Sequence, residues 1–282
     1  MAHKKRSSYN FFRERIRNIL FIENILKKFL VKNRVREAEK IMLLANQYPT
    51  EKKEIINDYK YSIKFTNRSI FQVLNIESVL RYLNENSISG SLVEAGTFTG
   101  GCSAYILKAH MRIEKSQFKE FWGFDSFEGM PAPTLNDGDQ SSIWLTGKKM
   151  NDLDNDYLGK LVGHSMNKAN YKKCLNYLEK TGYPLDKINL IKGWFQDTLK
   201  VNKHLIKKIA LLRLDGDFYE STMVTLEELY PLVSKGGVII VDDYGGFQGC
   251  KKAVDEYFEK INYHPPLIYV ENSIRYFIKQ KD

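Results

Sequence analysis

The residue types and spacings best suited to chemistry lie between Ile209 and Tyr244. An apolar run, Ile209 to Leu214, empties into Asp215-Gly216-Asp217. A second run, Val238 to Val241, follows Gly236-Gly237 and empties into Asp242-Asp243. The two runs read as strands joined by a crossover helix, each ending in a pair of carboxylates. In an open parallel sheet, ligands sit outside the carboxyl ends of the strands. Two neighbouring strands would therefore bring four acids to one edge. Such a cluster repels itself unless a cation joins it or some members are protonated. Asp215, Asp242 and Asp243 offer the hard oxygen ligands that suit Mg2+, which eases the loss of a proton from a bound hydroxyl. Asp217, two residues from a ligand, is placed to be the general base. The bland alternative is that these acids cap helices and pair with Lys or Arg. Four of them at two strand ends are hard to explain as caps.

A second constellation precedes the first. Ser91-Leu-Val reads as a short strand, followed by Glu94 and by a turn carrying Gly96, Gly100 and Gly101. Glycines there let the backbone approach a ligand closely, but their spacing is not the dinucleotide fingerprint. Glu94, ahead of the first glycine, does not suit a diphosphate; it suits a cationic ligand, an ordered water or an amide. Asp125 ends the next strand, Phe121-Trp-Gly-Phe, where a carboxylate accepts from both hydroxyls of a ribose. A ribose without phosphate, beside a turn that tolerates positive charge, indicates S-adenosylmethionine rather than NAD. Trp194 and Phe195 follow a third strand and either flank an adenine or pack in the core. His164, His204 and His264 are scattered and suggest no zinc site.

The elements that must position these groups alternate along the chain. Strands are expected at 91–94, 121–125, 187–192, 209–214 and 238–241, with helices at 102–111 and 251–262. A closing hairpin, 267–271 with 275–279, turns at Asn272-Ser273. The result is an α/β, Rossmann-like fold with a seven-stranded, mostly parallel sheet and an antiparallel C-terminal edge hairpin. An insert spans 129–183, its lid portion from about 133, with a helix near 170–180. Residues 1–55 read as a basic helical arm and 56–282 as the catalytic domain; 41–75 and 133–165 read as lids that exclude water.

The charge is uneven. The whole chain carries +9, but residues 1–40 hold 12 Lys/Arg against 4 Glu, leaving 31 against 30 for the remainder. The near-neutral remainder argues against nucleic acid as a partner. The arm, with Phe12, Ile16, Ile19, Phe21, Ile22, Ile25, Leu26, Phe29 and Leu30 at helical spacing, packs on its own domain or a second subunit, or else makes a peripheral membrane contact. Residues 1–9 read as disordered. Cys102, Cys174 and Cys250 are too far apart to form a disulfide framework, which fits a reducing cytoplasm. No apolar stretch reaches transmembrane length.

Five ordered motifs carry a resemblance. They are Glu94-Ala-Gly96 with Gly100-Gly101, Asp125-Ser-Phe-Glu-Gly-Met-Pro131, Gly193-Trp-Phe-Gln-Asp-Thr-Leu199, Leu212-Arg-Leu-Asp-Gly-Asp-Phe-Tyr-Glu-Ser-Thr222 and Gly237-Val-Ile-Ile-Val-Asp-Asp-Tyr-Gly245. Over roughly 60–260 the chain resembles the macrocin O-methyltransferase (TylF/MycF) family of class I methyltransferases. The resemblance implies Mg2+-dependent transfer of a methyl group from S-adenosylmethionine to a hydroxyl of a sugar or glycosylated small molecule, by a homo-oligomer. It implies a cofactor site of Glu94, Ala95, Gly96, Thr97, Ser103, Asp125, Ser126, Phe127, Gly193, Trp194, Phe195 and Asp215. It implies Asp215, Asp242 and Asp243 as metal ligands and Asp217 as the base. Leu199-Lys200 departs from the family's usual proline, in a loop away from the chemistry. Two alternatives stand beside this reading. One is a metal-dependent phosphatase-like hydrolase using Asp215 and Asp217, which leaves Glu94 and Asp125 unexplained. The other is a non-catalytic scaffold in a polysaccharide assembly, which the intact acid set argues against.

Overall fold

The computed structural model describes residues 27–43, 48 and 50–281. They fall into two compact units, one ending at Lys64 and one beginning at Phe65. In the first, 27–43 form a helix (α1) and Lys52–Ser62 another (α2). Val35, Ala38 and Met42, spaced three and four apart along α1, are buried, as one apolar stripe of a helix should be. The remaining arm positions, 10–26, and most of the break near Gln47 lie outside the described residues, as do residues 1–9.

The second unit starts with α3 (Ile70–Glu85), whose entry is set by a capping box. The Ser69 hydroxyl accepts from the Gln72 amide at 3.3 Å and the Gln72 side chain accepts from the Ser69 amide at 3.1 Å, satisfying two donors that a helix start leaves open. There follow β1 (Ser91–Ala95), α4 (Gly101–Ile113), β2 (Phe121–Asp125), α5 (Gly138–Thr146), α6 (Tyr171–Glu179), β3 (Ile188–Lys192), α7 (Phe195–Asn202), β4 (Ile209–Leu214), α8 (Tyr219–Leu229), β5 (Val233–Val241), α9 (Gln248–Lys260), β6 (Ile268–Glu271) and β7 (Ile274–Ile278). The strands form one sheet in the order β3-β2-β1-β4-β5-β7-β6. All neighbours are parallel except β7, which runs antiparallel to β5 and β6. This is the doubly wound sheet with an antiparallel edge expected from the alternation of elements. The order reverses between β1 and β4, the switch point at which such sheets open a crevice.

Residues of one parity supply one face. Val93, Trp122, Phe124, Leu212, Leu214, Ile239 and Val241 pack with Leu199 of α7, Leu226 and Leu229 of α8 and Val254, Tyr257 and Phe258 of α9 in the main core. The opposite parity faces α3 and α4. There Glu94 and Arg213 sit side by side in register on β1 and β4. The buried Glu77 of α3 joins the two helices by accepting from Arg81, Arg112 and the Tyr105 hydroxyl. One boundary differs from expectation. β5 begins at Val233, ahead of Gly236-Gly237, because the Gly236 amide donates to the Lys279 carbonyl at 2.7 Å and the Lys279 amide donates to the Gly237 carbonyl at 2.9 Å. The glycines are a bulge inside the strand and not its leading turn.

Candidate active site

Five strand ends line up at the carboxyl edge through a relay of four single backbone bonds. The Gly193 amide donates to the Asp125 carbonyl, Gly96 to Phe124, Asp215 to Ala95, and Asp242 to Leu214, all at 2.8–2.9 Å. This ladder sets the expected cofactor and metal positions along one rim. It also explains Gly96. Its φ is +101°, and a Cβ there would overlap the Asp215 carbonyl oxygen. Only glycine lets β1 and β4 stay that close at the switch point.

Around the glycine turn the structure gathers most of the residues expected there. Both oxygens of Asp125 accept a backbone amide: Phe127 donates to Oδ1 at 2.6 Å and Phe98 to Oδ2 at 2.7 Å. Phe98 and Phe127 take positive φ, +51° and +56°, so two uncommon backbone conformations are held to orient this one carboxylate. Burial outweighs these bonds and pushes its pKa up to about 6. The Thr97 hydroxyl donates to the Phe124 carbonyl at 3.2 Å, and the Ser126 hydroxyl donates to the Gly129 carbonyl at 3.0 Å. Phe127 is buried, edge-to-face with Tyr171 at 5.3 Å. Trp194 is half-buried at the start of α7, whereas Phe195 lies within the main core, the packing role left open for it above. The segment that begins at Phe65 covers the turn. Its carbonyl accepts from the Thr99 hydroxyl at 2.6 Å, and a Cβ on Gly101 would collide with the Phe65 backbone.

Glu94 is fully buried and engaged by the protein itself. The Ser103 hydroxyl donates to one oxygen and the Arg213 guanidinium to the other, the latter at 2.7 Å. Burial raises its pKa against the pull of Arg213 and Ser103. Its contacts are those of a group that sets the position of Arg213 beneath the acids.

The acids converge as the strand ends imply. One carboxylate oxygen each from Asp215, Asp242 and Asp243 lie within 4.8 Å of one another. The Asp217 amide donates to Asp243 at 3.3 Å. Asp217 takes φ +57°, and its carboxylate is buried where it feels the charges of Asp215 and Asp242. Two guanidiniums, unforeseen in the sequence, share the site. Arg213 donates to Asp215 at 2.9 Å and to Asp242 at 2.5 Å. Arg68 donates to Asp215 at 2.9 Å and also contacts Asp242. The cluster is therefore five acids, Glu94 included, against two arginines. Arg213 was legible in principle: a charged residue inside the fully buried run Ile209–Leu214 must have a partner. Arg68 lies 147 residues from Asp215 and carries no local signal.

The electrostatics divide the acids. For Asp215, burial is outweighed by Arg213 and Arg68, which hold its pKa below the ordinary value. Asp217 is pushed up to about 8 by burial and by the charges of Asp215 and Asp242. Asp243 is raised well above its ordinary value by burial and by Asp217, Asp242 and Asp215. A divalent cation among three carboxylates offsets this repulsion, and oxygen-only donors suit Mg2+. The residues present thus fit both groups that the sequence implied.

An aromatic wall stands beside the acids. Phe218, next to Asp217, and Phe247 meet with ring centroids 6.0 Å apart, and Trp144 of α5 meets Phe247 at 5.2 Å. Trp144 remains 41% exposed.

Comparison with known proteins agrees with this geometry. The model of a family described as macrocin-O-methyltransferase (TylF) matches residues 13–279. The match extends beyond 60–260 at both ends and takes in much of the arm. Demethyldecarbamoylnovobiocin O-methyltransferase of Streptomyces niveus is 33% identical over 199 residues, 70% of this chain and 69% of the relative. A tetracenomycin-C rhamnosyl 4'-O-methyltransferase of Streptomyces olivaceus is 28% identical over 250 residues, 89% of each chain. Among solved structures, the O-methyltransferase NovP superposes with a TM-score of 0.62 and 30% identity, covering 77% of this chain and 83% of its own.

Proposed function

The chain belongs to the macrocin-O-methyltransferase (TylF) family and is an S-adenosylmethionine-dependent O-methyltransferase, and from that premise we propose a Mg2+-dependent transfer to a hydroxyl of a sugar carried by a small molecule. The observation that carries this reading is the meeting of Asp215, Asp242 and Asp243 within 4.8 Å, on the same rim as the Gly96 turn and Asp125. Membership displaces the hydrolase and scaffold alternatives. It also accounts for Asp125, which the hydrolase left unexplained.

Gly96, Thr97 and the amides around Asp125 would hold the cofactor, with the remaining lone pairs of Asp125 facing its ribose hydroxyls. When bound, the cofactor supplies an electrophilic methyl group. Asp215, Asp242 and Asp243 would hold Mg2+, which lowers the pKa of a hydroxyl oxygen beside it and orients that oxygen. Asp217 accepts the hydroxyl proton. Burial and the neighbouring acids raise its pKa to about 8 without a cation; a nearby dication lowers it again and favours the ionised form, the form that can accept a proton. Arg213 and Arg68 fix the directions of the ligand carboxylates. Much of the rate comes from alignment of the two substrates. Trp144 and Phe247 offer an apolar face to the sugar ring.

The name of the Streptomyces olivaceus relative gives a rhamnosyl-tetracenomycin as its acceptor, and a glycosylated small molecule is the acceptor class proposed here. Calorimetry with S-adenosylmethionine, with and without Mg2+, together with a methyl-transfer screen over glycosylated small molecules, tests the reading. Binding in the micromolar range and turnover abolished by EDTA are expected. Full turnover in EDTA would remove the metal from the mechanism.

A further inference from the structure

Three stretches that methyl transfer does not use meet at the opposite edge of the sheet. Lys207-Lys208 lead into β4, Ser234-Lys235 lie near the start of β5, and Lys279 follows β7. With Ser87, Ile88 and Ser89 from the turn after α3, and with Pro231 to Val233, they line a cavity of about 420 Å³. That volume falls within the range of small-molecule sites. β4 separates it from the acids by six residues, roughly 20 Å of strand.

The lining holds four lysines and three serines and no acid. Beyond residue 40 the chain carries nearly equal numbers of basic and acidic residues, so this is a local concentration of charge and not a general property of the surface. Lys207, Lys208 and Lys235 are exposed and form no ion pair among the described residues. Ammonium groups gathered around one cavity repel each other. Burial or screening by a multiply charged anion relieves that repulsion, just as a dication relieves it among the acids at the other edge.

The backbone here is shaped for the arrangement. Gly236 takes φ +80°, and a Cβ on it would meet Ile88 Cδ1 at 2.7 Å. A Cβ on Gly237 would meet the Ser234 carbonyl at 2.8 Å. The pairing of β4 with β5 shifts register at this point. The glycine bulge brings Lys235 to the mouth above Lys279. Lys279 is drawn inward: its Nζ donates to the Val233, Tyr230 and Pro231 carbonyls at 2.8, 3.3 and 3.5 Å and lies 4.8 Å from the Tyr230 ring centroid. One cation is thus fixed at the floor while three stand exposed at the mouth.

We propose that this cavity is a second binding site, for a small molecule carrying a diphosphate. Linked phosphates take charge-assisted bonds from the three exposed ammonium groups at the mouth and further bonds from the Ser87 and Ser89 hydroxyls, with Lys279 adding its charge from the floor. A single carboxylate does not match that charge.

The test is calorimetry on the full chain with inorganic pyrophosphate, without divalent metal and at low ionic strength. The variant is Lys207→Gln/Lys208→Gln/Lys235→Gln, which leaves the buried Lys279 and the glycine bulge intact. Lys251→Gln/Lys252→Gln, a pair of exposed lysines on α9, is the control for general surface charge. Binding that weakens with added salt, falls about tenfold or more in the triple variant and persists in the control supports the site. Methyl transfer by the triple variant should equal that of the unaltered protein. A parallel titration with a nucleoside diphosphate separates the sources: tighter binding than pyrophosphate assigns the diphosphate to a nucleotide, equal binding to the free anion. Equal pyrophosphate affinity in the triple variant overturns the proposal. So does absence of binding to the unaltered protein. Retention on phosphatidylserine vesicles that needs these lysines, with no heat from pyrophosphate, also overturns it and makes the patch a membrane contact.

Discussion

At the residue scale, Asp217 differs from its neighbours in ways that suit a base. It accepts no arginine bond among those that hold Asp215 and Asp242. Its backbone is in the left-handed region, and its pKa is raised to about 8. Asn at this position keeps size and hydrogen bonding but removes basicity. Asp217→Asn should leave cofactor and Mg2+ affinities little changed in calorimetry while kcat falls by about 10²–10⁴-fold. Activity near that of the unaltered protein would end the assignment. Gly96 offers a second test at this scale. Ala there places a methyl group on the Asp215 carbonyl and demands positive φ. Loss of several kcal/mol is expected, read as a lowered denaturation midpoint, together with loss of cofactor binding. The acids and the glycine were legible because each stands at a change of pattern, where an apolar run stops. The two arginines and the orienting amides of Phe98 and Phe127 were not, since they act across distances in the chain that no local pattern records.

At the scale of elements, the insert after β2 shows how a segment without recognisable pattern is fastened. Its acidic stretch Asn136-Asp-Gly-Asp139 is not a free charge cluster. Asp137 is fully buried, and its Oδ1 accepts from the Tyr219 amide at 2.7 Å. Its Oδ2 accepts from the Thr134 amide at 2.6 Å and from the Thr134 hydroxyl at 2.9 Å. Tyr219 is the first residue of α8, whose own N-cap, Phe218, has no side chain able to cap. A carboxylate from another segment therefore caps the helix that begins two residues after Asp217, and favours its dipole. Gly249 of α9 leaves the space, since a Cβ there would overlap Asp137 Oδ1. Asp137→Ala should cost about 1–2 kcal/mol for the lost cap, seen as a lower Tm. It should also raise the KM of the acceptor more than the Kd of the cofactor. Equal changes in both would show that the insert does not shape the acceptor side. The helix at Tyr171–Glu179 was readable from its periodicity and its Asn170 cap. The short α5, with Trp144 on it, was not, because a nine-residue helix between turns leaves too few periods to read.

At the scale of the molecule, the sheet divides two kinds of interior. One face is apolar over its central strands β2, β1, β4 and β5. The other carries buried charge, with Glu94 and Arg213 near the site and Glu77, Arg81 and Arg112 between α3 and α4. His110 near the end of α4 belongs to this second side and makes the fold sensitive to acid. The Tyr183 hydroxyl donates to the Lys119 carbonyl at 2.6 Å, so its oxygen is left to accept from His110 Nδ1 at 3.1 Å. His110 Nε2 is buried with no partner among the described residues. Burial, then Lys119, lowers the His110 pKa to about 4. Because the folded pKa lies below the unfolded value, the unfolded chain takes up a proton first. Stability is complete above about pH 6.5 and is lost as pH falls toward 4, by up to about 3 kcal/mol from this group. His110→Gln should flatten the fall in Tm between pH 6.5 and 4. An unchanged slope would place the acid sensitivity in the carboxylates instead. Among the described residues no helix is long and apolar enough to cross a membrane.

The sequence by itself determined the strand order's raw material and which acids come to one edge of the sheet. Apolar runs of strand length, each stopped by an acid or a glycine, can hardly be read otherwise, and a parallel sheet sends all such stops to one edge. This is why Asp125, Asp215, Asp217, Asp242 and Asp243 could be named from spacing alone. Only the tertiary structure decided how their charge is held. Arg68 arrives from ahead of α3, Arg213 is aimed by its register with Glu94, and Asp217 is buried beside the charges of Asp215 and Asp242. The lysine cavity at the far edge is of the same kind: three short basic stretches, unremarkable singly, become one site because the ends of β4, β5 and β7 meet. Local sequence records what a residue can do. Which opposite or like charge it will face is a property of chain segments far apart, and only folding brings those together.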